Sequence, residues 1–180
     1  MNKLKLIVVF LLSSLFIISC NNSKEKEKNK NEKIKEECFP INRPFRSDLD
    51  LEHSIINKGD TLAYYDLLIR HHYYNKHSCR NFLPYALIMA DKYNYPPAYF
   101  DVFKCLWELY GEWDEEGNIS LDKLDKTTRN MAIEYLKKGV EKGEKNCMRY
   151  LGTYYIKGKY VKKDVKYGEY LQEKGRMKQQ

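Results

Sequence analysis

Residues 147–168 read CMRYLGTYYIKGKYVKKDVKYG, and this stretch decides the fold. Its first nine residues repeat core-type side chains every three or four positions, which is the spacing of one face of an α-helix. That stripe comprises Cys147, Tyr150, Leu151, Tyr154 and Tyr155. Gly158 then favours a helix C-terminus, and Asp164 is suited to cap a second helix. The stretch therefore predicts a helix–turn–helix unit.

Similar patterns occur upstream of this unit. Residues 131–139 read MAIEYLKKG, and residues 167–175, 36 positions later, read YGEYLQEKG. Ala63 and Ala98 each open an apolar stripe that resembles the one beginning at Cys147. Self-similarity at such an interval is typical of repeat proteins, in which each unit needs a neighbour to cover its second apolar face.

Residues that typically begin or end helices divide the repeats into three units. Asp60 is suited to cap the first helix, and Pro84 and Pro97 are expected in first helical turns. Gly143 and Gly158 are expected at helix C-termini. We predict an all-α fold with units at residues 60–94, 96–143 and 145–175, preceded by a lead-in segment over 38–59 and followed by a tail over 176–180.

The pattern Leu151-Gly152-x-x-Tyr155-x-x-Gly158-x-x-Val161-x-x-Asp164-x-x-Tyr167-Gly168 resembles the Sel1-like repeat, a relative of the tetratricopeptide repeat. The resemblance covers about residues 60–175 and implies a short right-handed α-solenoid that binds a protein or peptide. Gly168 departs from the pattern, since the family has alanine there. Glycine weakens a helix by up to about 1 kcal/mol relative to alanine.

The second unit contains an insertion over residues 111–123, and insertions in solenoids often form the binding face. Trp107 lies just before the insertion and Trp113 lies within it, and tryptophan is enriched at binding hot spots. The insertion also resembles part of a calcium-binding EF-hand around Gly117, but Lys123 stands where that loop needs its final glutamate. We predict no metal site.

Opposite charges distinguish the insertion from the last unit. The candidate binding residues are Trp107, Trp113, Asp114, Glu115, Glu116, Lys159, Lys162 and Lys163. Two arrangements are open: the acidic insertion folds onto the basic turn of the last unit as an internal clamp, or both face a partner of mixed charge. We favour the partner, because Trp113 gives the insertion an apolar anchor that a clamp does not need.

The N-terminus has the features of an export leader. Two lysines precede an apolar run over residues 6–18 that is shorter than a membrane-spanning helix. Ser19-Cys20 resembles the cleavage site of bacterial lipoproteins, which implies a signal peptide over 1–19 and lipid on Cys20. The Lys/Glu/Asn-rich residues that follow, up to 37, predict a solvated tether. Asn21 is not the aspartate that retains such proteins in the inner membrane. The resemblance therefore implies a lipid anchor in the outer membrane, on its periplasmic or surface face.

Four further cysteines lie in a chain that is expected in an oxidising compartment. Cys147 occupies the repeat position of Ala98, and Cys105 lies seven residues beyond Ala98, which is about 10 Å along the helix axis. That displacement is too large for a disulfide, so both are expected to be buried free thiols. Cys38 and Cys79 remain a candidate disulfide.

Composition excludes several function classes. The chain carries 32 Lys and Arg against 25 Asp and Glu, and the excess of basic residues lies in the last third. Export argues against a nucleic-acid partner for this basic surface. Dinucleotide-binding, P-loop, zinc-protease and serine-hydrolase motifs are absent from the sequence. We therefore expect a non-catalytic protein without a cofactor. Either it binds a protein or peptide partner within an envelope assembly, or it is an immunity protein that holds a secreted toxin at the envelope.

Overall fold

The computed structural model describes residues 46–74 and 78–176, with the side chains of 72–74 and 78 left aside. Over these residues the chain forms seven helices and one small sheet, which confirms the predicted all-α class. The helices are α1 (Asp48–Lys58), α2 (Thr61–Tyr74), α3 (Ser78–Asp91), α4 (Pro96–Tyr110), α5 (Lys126–Glu141), α6 (Lys145–Lys157) and α7 (Val165–Arg176). The two strands, β1 (Glu112–Trp113) and β2 (Ile119–Ser120), lie between α4 and α5. The leader, the tether, Cys20 and Cys38 lie outside the described residues.

Side-chain caps begin several helices where the sequence predicts them. Asp60 accepts hydrogen bonds from the backbone N–H groups of Leu62 and Ala63, both at 3.0 Å. Asp164 accepts one from Tyr167 at 2.9 Å, so both predicted caps are confirmed. An unpredicted capping box at Ser47 begins α1 within the lead-in segment.

Prolines and glycines mark the helix ends, with one correction. Pro97 lies in the first turn of α4, as predicted. Gly143 and Gly158 take left-handed conformations just after α5 and α6, with φ of 78° and 68°. Pro84, however, lies inside α3 rather than in its first turn. The helix begins earlier because residues ahead of Pro84, notably Phe82 at 1% exposure, are buried in the core.

Each helix packs mainly on its neighbour along the chain. The pairs α2–α3, α4–α5 and α6–α7 lie within the three predicted units, but α3 and α4, from different predicted units, also pack extensively on each other, and α4 and α6 touch. A single buried cluster runs through all of them. Ala63, Ala98 and Cys147, the residues that open the three stripes, are all fully buried. Among the described helices, none is both long and apolar enough to cross a bilayer.

The cysteines of the described region carry free thiols. Cys105 and Cys147 are both buried, as predicted, and both are thiols in this structure. Cys79 is also a buried free thiol. Its predicted bridge to Cys38 stays a prediction, because Cys38 lies outside the described residues.

Two helices approach each other closely in the last unit, at Gly152 of α6 and Gly168 of α7. A Cβ atom on Gly168 would lie 2.7 Å from the carbonyl oxygen of Gly152 and 2.7 Å from Cγ1 of Ile156. A Cβ atom on Gly152 would in turn lie 2.7 Å from the carbonyl oxygen of Gly168. Gly168 is therefore more than a weak helix residue, because the contact between the two backbones leaves no room for alanine.

We predict that Gly168→Ala destabilises the domain by about 1–3 kcal/mol, because overpacking outweighs the gain of up to about 1 kcal/mol in helix propensity. The measurement is urea unfolding of the full chain. Glu169→Ala, at the next and exposed position of α7, is the control and should change the free energy of unfolding by less than about 0.5 kcal/mol. A Gly168→Ala variant as stable as wild type would show that α6 and α7 are not in close contact.

Candidate functional site

The insertion of the second unit forms an ordered β-hairpin rather than an open loop. Its strands pair antiparallel, with Glu112 opposite Ser120 and Trp113 opposite Ile119. Asp114 organises the turn: its Oδ1 accepts hydrogen bonds from the backbone N–H groups of Glu116 at 3.1 Å and Asn118 at 2.7 Å. Gly117 follows with a φ of 75°, a conformation that other residues rarely adopt.

One side of the hairpin is buried against the last unit. Ile119, Ser120 and Leu121 are each less than 5% exposed. The hydroxyl of Tyr154, which lies on α6, donates a hydrogen bond to the carbonyl oxygen of Ile119 at 3.0 Å. Because Tyr154 is itself in the core, the hairpin is attached directly to the repeat body.

Tyr160 makes the second attachment from the turn between α6 and α7. Its hydroxyl accepts a hydrogen bond from the backbone N–H of Leu121 at 2.8 Å and donates one to Asp122 at 3.0 Å. Its ring meets that of Tyr154 edge-on, with centroids 5.1 Å apart. Tyr160 has a φ of 62°, which is unusual for a bulky residue. This strained backbone is held where the side chain joins the hairpin to the turn.

Ion pairs complete the contact. Lys157 lies near carboxylates of both Asp114, at 3.2 Å, and Glu116. Lys159 lies 3.5 Å from Asp122. The acidic insertion therefore folds onto the basic turn as an internal clamp, the alternative that we did not favour from sequence. The reason is Lys157, which ends α6 beneath the hairpin turn and was not among the candidate residues.

The hairpin turn, with a smaller contribution from the clamp, makes Asp114 more acidic. Hydrogen bonds from the backbone of Asn118, then from the side chains of Asn118 and Lys157, lower the pKa of Asp114 to about 2. Because the pKa is lowered in the folded chain, the stabilisation is present above the usual carboxyl pKa of 3.8 and is lost as the pH falls toward 2. The turn therefore keeps its ionised form throughout the neutral range.

The opposite side of the hairpin presents tryptophan to solvent. Trp113 is 59% exposed, and its ring meets that of Trp107 edge-on with centroids 5.0 Å apart. The indole N–H of Trp107 donates to the carbonyl oxygen of Glu112 at 3.3 Å. Tyr110, three residues after Trp107 and so on a neighbouring part of the helix surface, is 63% exposed. We call Trp107, Tyr110 and Trp113 the tryptophan surface.

The remaining candidate residues are spread over two places. Glu115 is exposed in the hairpin turn, beside the tryptophan surface in sequence. Lys162 and Lys163 are exposed between α6 and α7, beyond the residues that contact the hairpin. Within residues 46–74 and 78–176, no three His, Cys, Asp or Glu side chains are grouped as metal ligands.

Sequence reasoning identified both tryptophans but missed the residues that position them. Tyr154 was interpreted only as a core residue, Lys157 was counted in the basic turn but not among the candidate binding residues, and Tyr160 had no assigned role. Asp114 followed by Gly117 and Asn118 is a turn signal, and it could have indicated the hairpin. No family model, curated protein or solved structure matches this chain.

We predict that Tyr160→Phe destabilises the domain by about 1–3 kcal/mol, because it leaves the buried N–H of Leu121 without its hydroxyl partner. The measurement is urea unfolding. Tyr170→Phe removes the same atom from a ring that is 52% exposed on α7, and this control should change stability by less than about 0.5 kcal/mol. Equal effects of the two variants would show that the Tyr160 hydroxyl does not hold the hairpin.

Proposed function

We propose that this chain is a lipid-anchored protein of the bacterial envelope, whose helical repeats bind a protein or peptide partner without catalysing a reaction. The tryptophan surface is the proposed contact. The observation that carries the proposal is the exposure of Trp113 on a hairpin whose other side is held in place. A large apolar side chain kept at the surface in this way is typical of a binding hot spot.

The energetics of binding favour this surface. A partner that orders a mobile loop loses part of its binding free energy to the entropy of that loop. Here the contacts of Tyr154, Lys157 and Tyr160 order the hairpin before any partner arrives. Trp113 adds a large rigid ring, and Trp107 beside it extends the aromatic area. Both properties increase the affinity that a small contact can reach.

The repeat architecture is part of the proposal. We infer a short right-handed solenoid of Sel1-like units from two features. Consecutive helices pack on one another along the chain, and the small residues of the repeat pattern occupy close helix contacts, as Gly152 does against Gly168. Such a solenoid places insertions of successive units along one face.

The proposed lipid anchor is supported by the sequence of the leader alone. A basic start, an apolar run over residues 6–18 and a cysteine after Ser19 support lipidation of Cys20. A partner in the envelope would then meet the tryptophan surface of a protein confined to the membrane plane.

Site-specific photo-crosslinking in intact cells tests this function. A photoreactive amino acid at Trp113 should give a discrete adduct, whereas the same group at Tyr65, on α2 and 56% exposed, should not. Once the partner is identified, Trp113→Ala should weaken its affinity by about 2 kcal/mol, or roughly 30-fold. The melting temperature should barely change, since most of the side chain is in solvent. Tyr65→Ala is the matched control for both readouts.

Two results would contradict the proposal. Unchanged affinity of Trp113→Ala, with a melting temperature several degrees lower, would show that this tryptophan only holds the hairpin. Equal adducts from Trp113 and Tyr65 would show non-specific crosslinking. The anchor has its own readout in the same cells: Cys20→Ala should leave the detergent phase, and its retention there would contradict lipidation.

A further inference from the structure

Two buried cysteines from different predicted units meet between α3 and α4. Cys79 lies at the start of α3 and is 8% exposed, and Cys105 lies on α4 and is 2% exposed. Both side chains line one small cavity between the helices, together with Phe82 and Asp101. The two helices pack closely on each other, so the core of the domain keeps the two side chains at the same cavity.

Carboxyl groups surround the pair. The Cys79 thiol donates a hydrogen bond to Glu108, three residues beyond Cys105 on α4, and Glu108 also lies 3.6 Å from Lys104. Asp101, one turn before Cys105, accepts a hydrogen bond from the Tyr64 hydroxyl at 2.7 Å. Burial raises the pKa of Asp101 to about 6, so it is largely ionised at neutral pH.

This environment disfavours a thiolate in the folded domain. The hydrogen bond with Cys79 and burial raise the pKa of Cys105 above its usual value, and the nearby carboxyl groups act in the same direction. Since the thiolate is the reactive form, exchange at Cys105 is slow once the helices have closed. Its redox state is therefore set while the chain folds.

We propose that Cys79 and Cys105 form a disulfide that joins the first and second predicted units. This inference rests on the proposed envelope location, because only an oxidising compartment sustains such a bond. Because both side chains line the same small cavity, little rearrangement is needed, and burial protects the bond from reductants while the domain is folded. Glu108 then loses the thiol as a donor but keeps Lys104 as its ion-pair partner.

The chemistry requires a disulfide oxidant of the envelope. The thiolate of one cysteine attacks a sulfur atom of the oxidant's disulfide, which forms a mixed disulfide and releases one oxidant thiolate. The thiolate of the second cysteine then attacks the sulfur of the first and releases the other oxidant thiolate. In sum, the two protein thiols lose two protons and two electrons, and the oxidant's disulfide is reduced to a dithiol.

Peptide mapping of the full chain, isolated from the envelope without reductant, tests the assignment directly. Free thiols are blocked with N-ethylmaleimide in denaturant, and the protein is digested with trypsin. We expect the peptide His77–Arg80 to be joined to the peptide Cys105–Lys123, with Cys147 blocked. Blocked Cys79 and Cys105, or a peptide containing Cys38 joined to His77–Arg80, would overturn the proposal.

Thermal unfolding provides a second test. Reduction with a phosphine in denaturant, followed by refolding, should lower the melting temperature of wild type by about 10 °C, because it removes a cross-link across a loop of intermediate length. The same loss is expected for Cys38→Ser and Cys147→Ser, and no loss for Cys79→Ser or Cys105→Ser. A reductant effect that disappears in Cys38→Ser would instead support the Cys38–Cys79 bridge. If Cys20 carries lipid while all other thiols are free, the disulfide alone is wrong and the anchored protein stands.

Discussion

The hydroxyl of Tyr160 joins two parts of the chain that lie 39 residues apart, by accepting the backbone N–H of Leu121. That one contact fixes the position of the hairpin relative to the last unit, and the hydrogen bond from Tyr154 and the ion pairs of Lys157 act at the same interface. The exposed ring of Trp113 depends on it, because a hairpin without this support would be a mobile insertion. The position of the tryptophan surface thus depends on the contacts that Tyr154, Lys157 and Tyr160 make with the buried side of the hairpin.

The last unit can provide that support only if its own two helices are in place. Gly152 and Gly168 allow α6 and α7 to approach so closely that neither position has room for a Cβ atom. Lys157 and Tyr160 lie at the end of α6 and just after it, so the packing of these helices also fixes where the hairpin is held. A repeat unit that resembles a purely structural element therefore determines the geometry of the candidate site.

The sequence predicted the helices better than their contacts. The stripe from Cys147 to Tyr155 and the caps at Asp60 and Asp164 are local features, so periodicity and capping rules were sufficient. Pro84 was misplaced because burial ahead of it outweighs the preference of proline for a first turn. The clamp was weighed but not favoured, because it depends on which lysine faces the insertion, and spacing along the chain does not show that. Tyr160 was missed for the same reason, since nothing local marks a tyrosine hydroxyl as the partner of a distant N–H.

Hydrogen exchange at the backbone amide of Leu121 tests most directly whether the insertion is a fixed part of the domain. If Tyr160 holds the hairpin, this amide exchanges at least about 100-fold more slowly than an unprotected amide, and it is protected together with amides of α6 such as that of Leu151. Exchange of Leu121 at the rate of an open loop, while Leu151 remains protected, would contradict the account, because the hairpin would then be mobile on a folded repeat body.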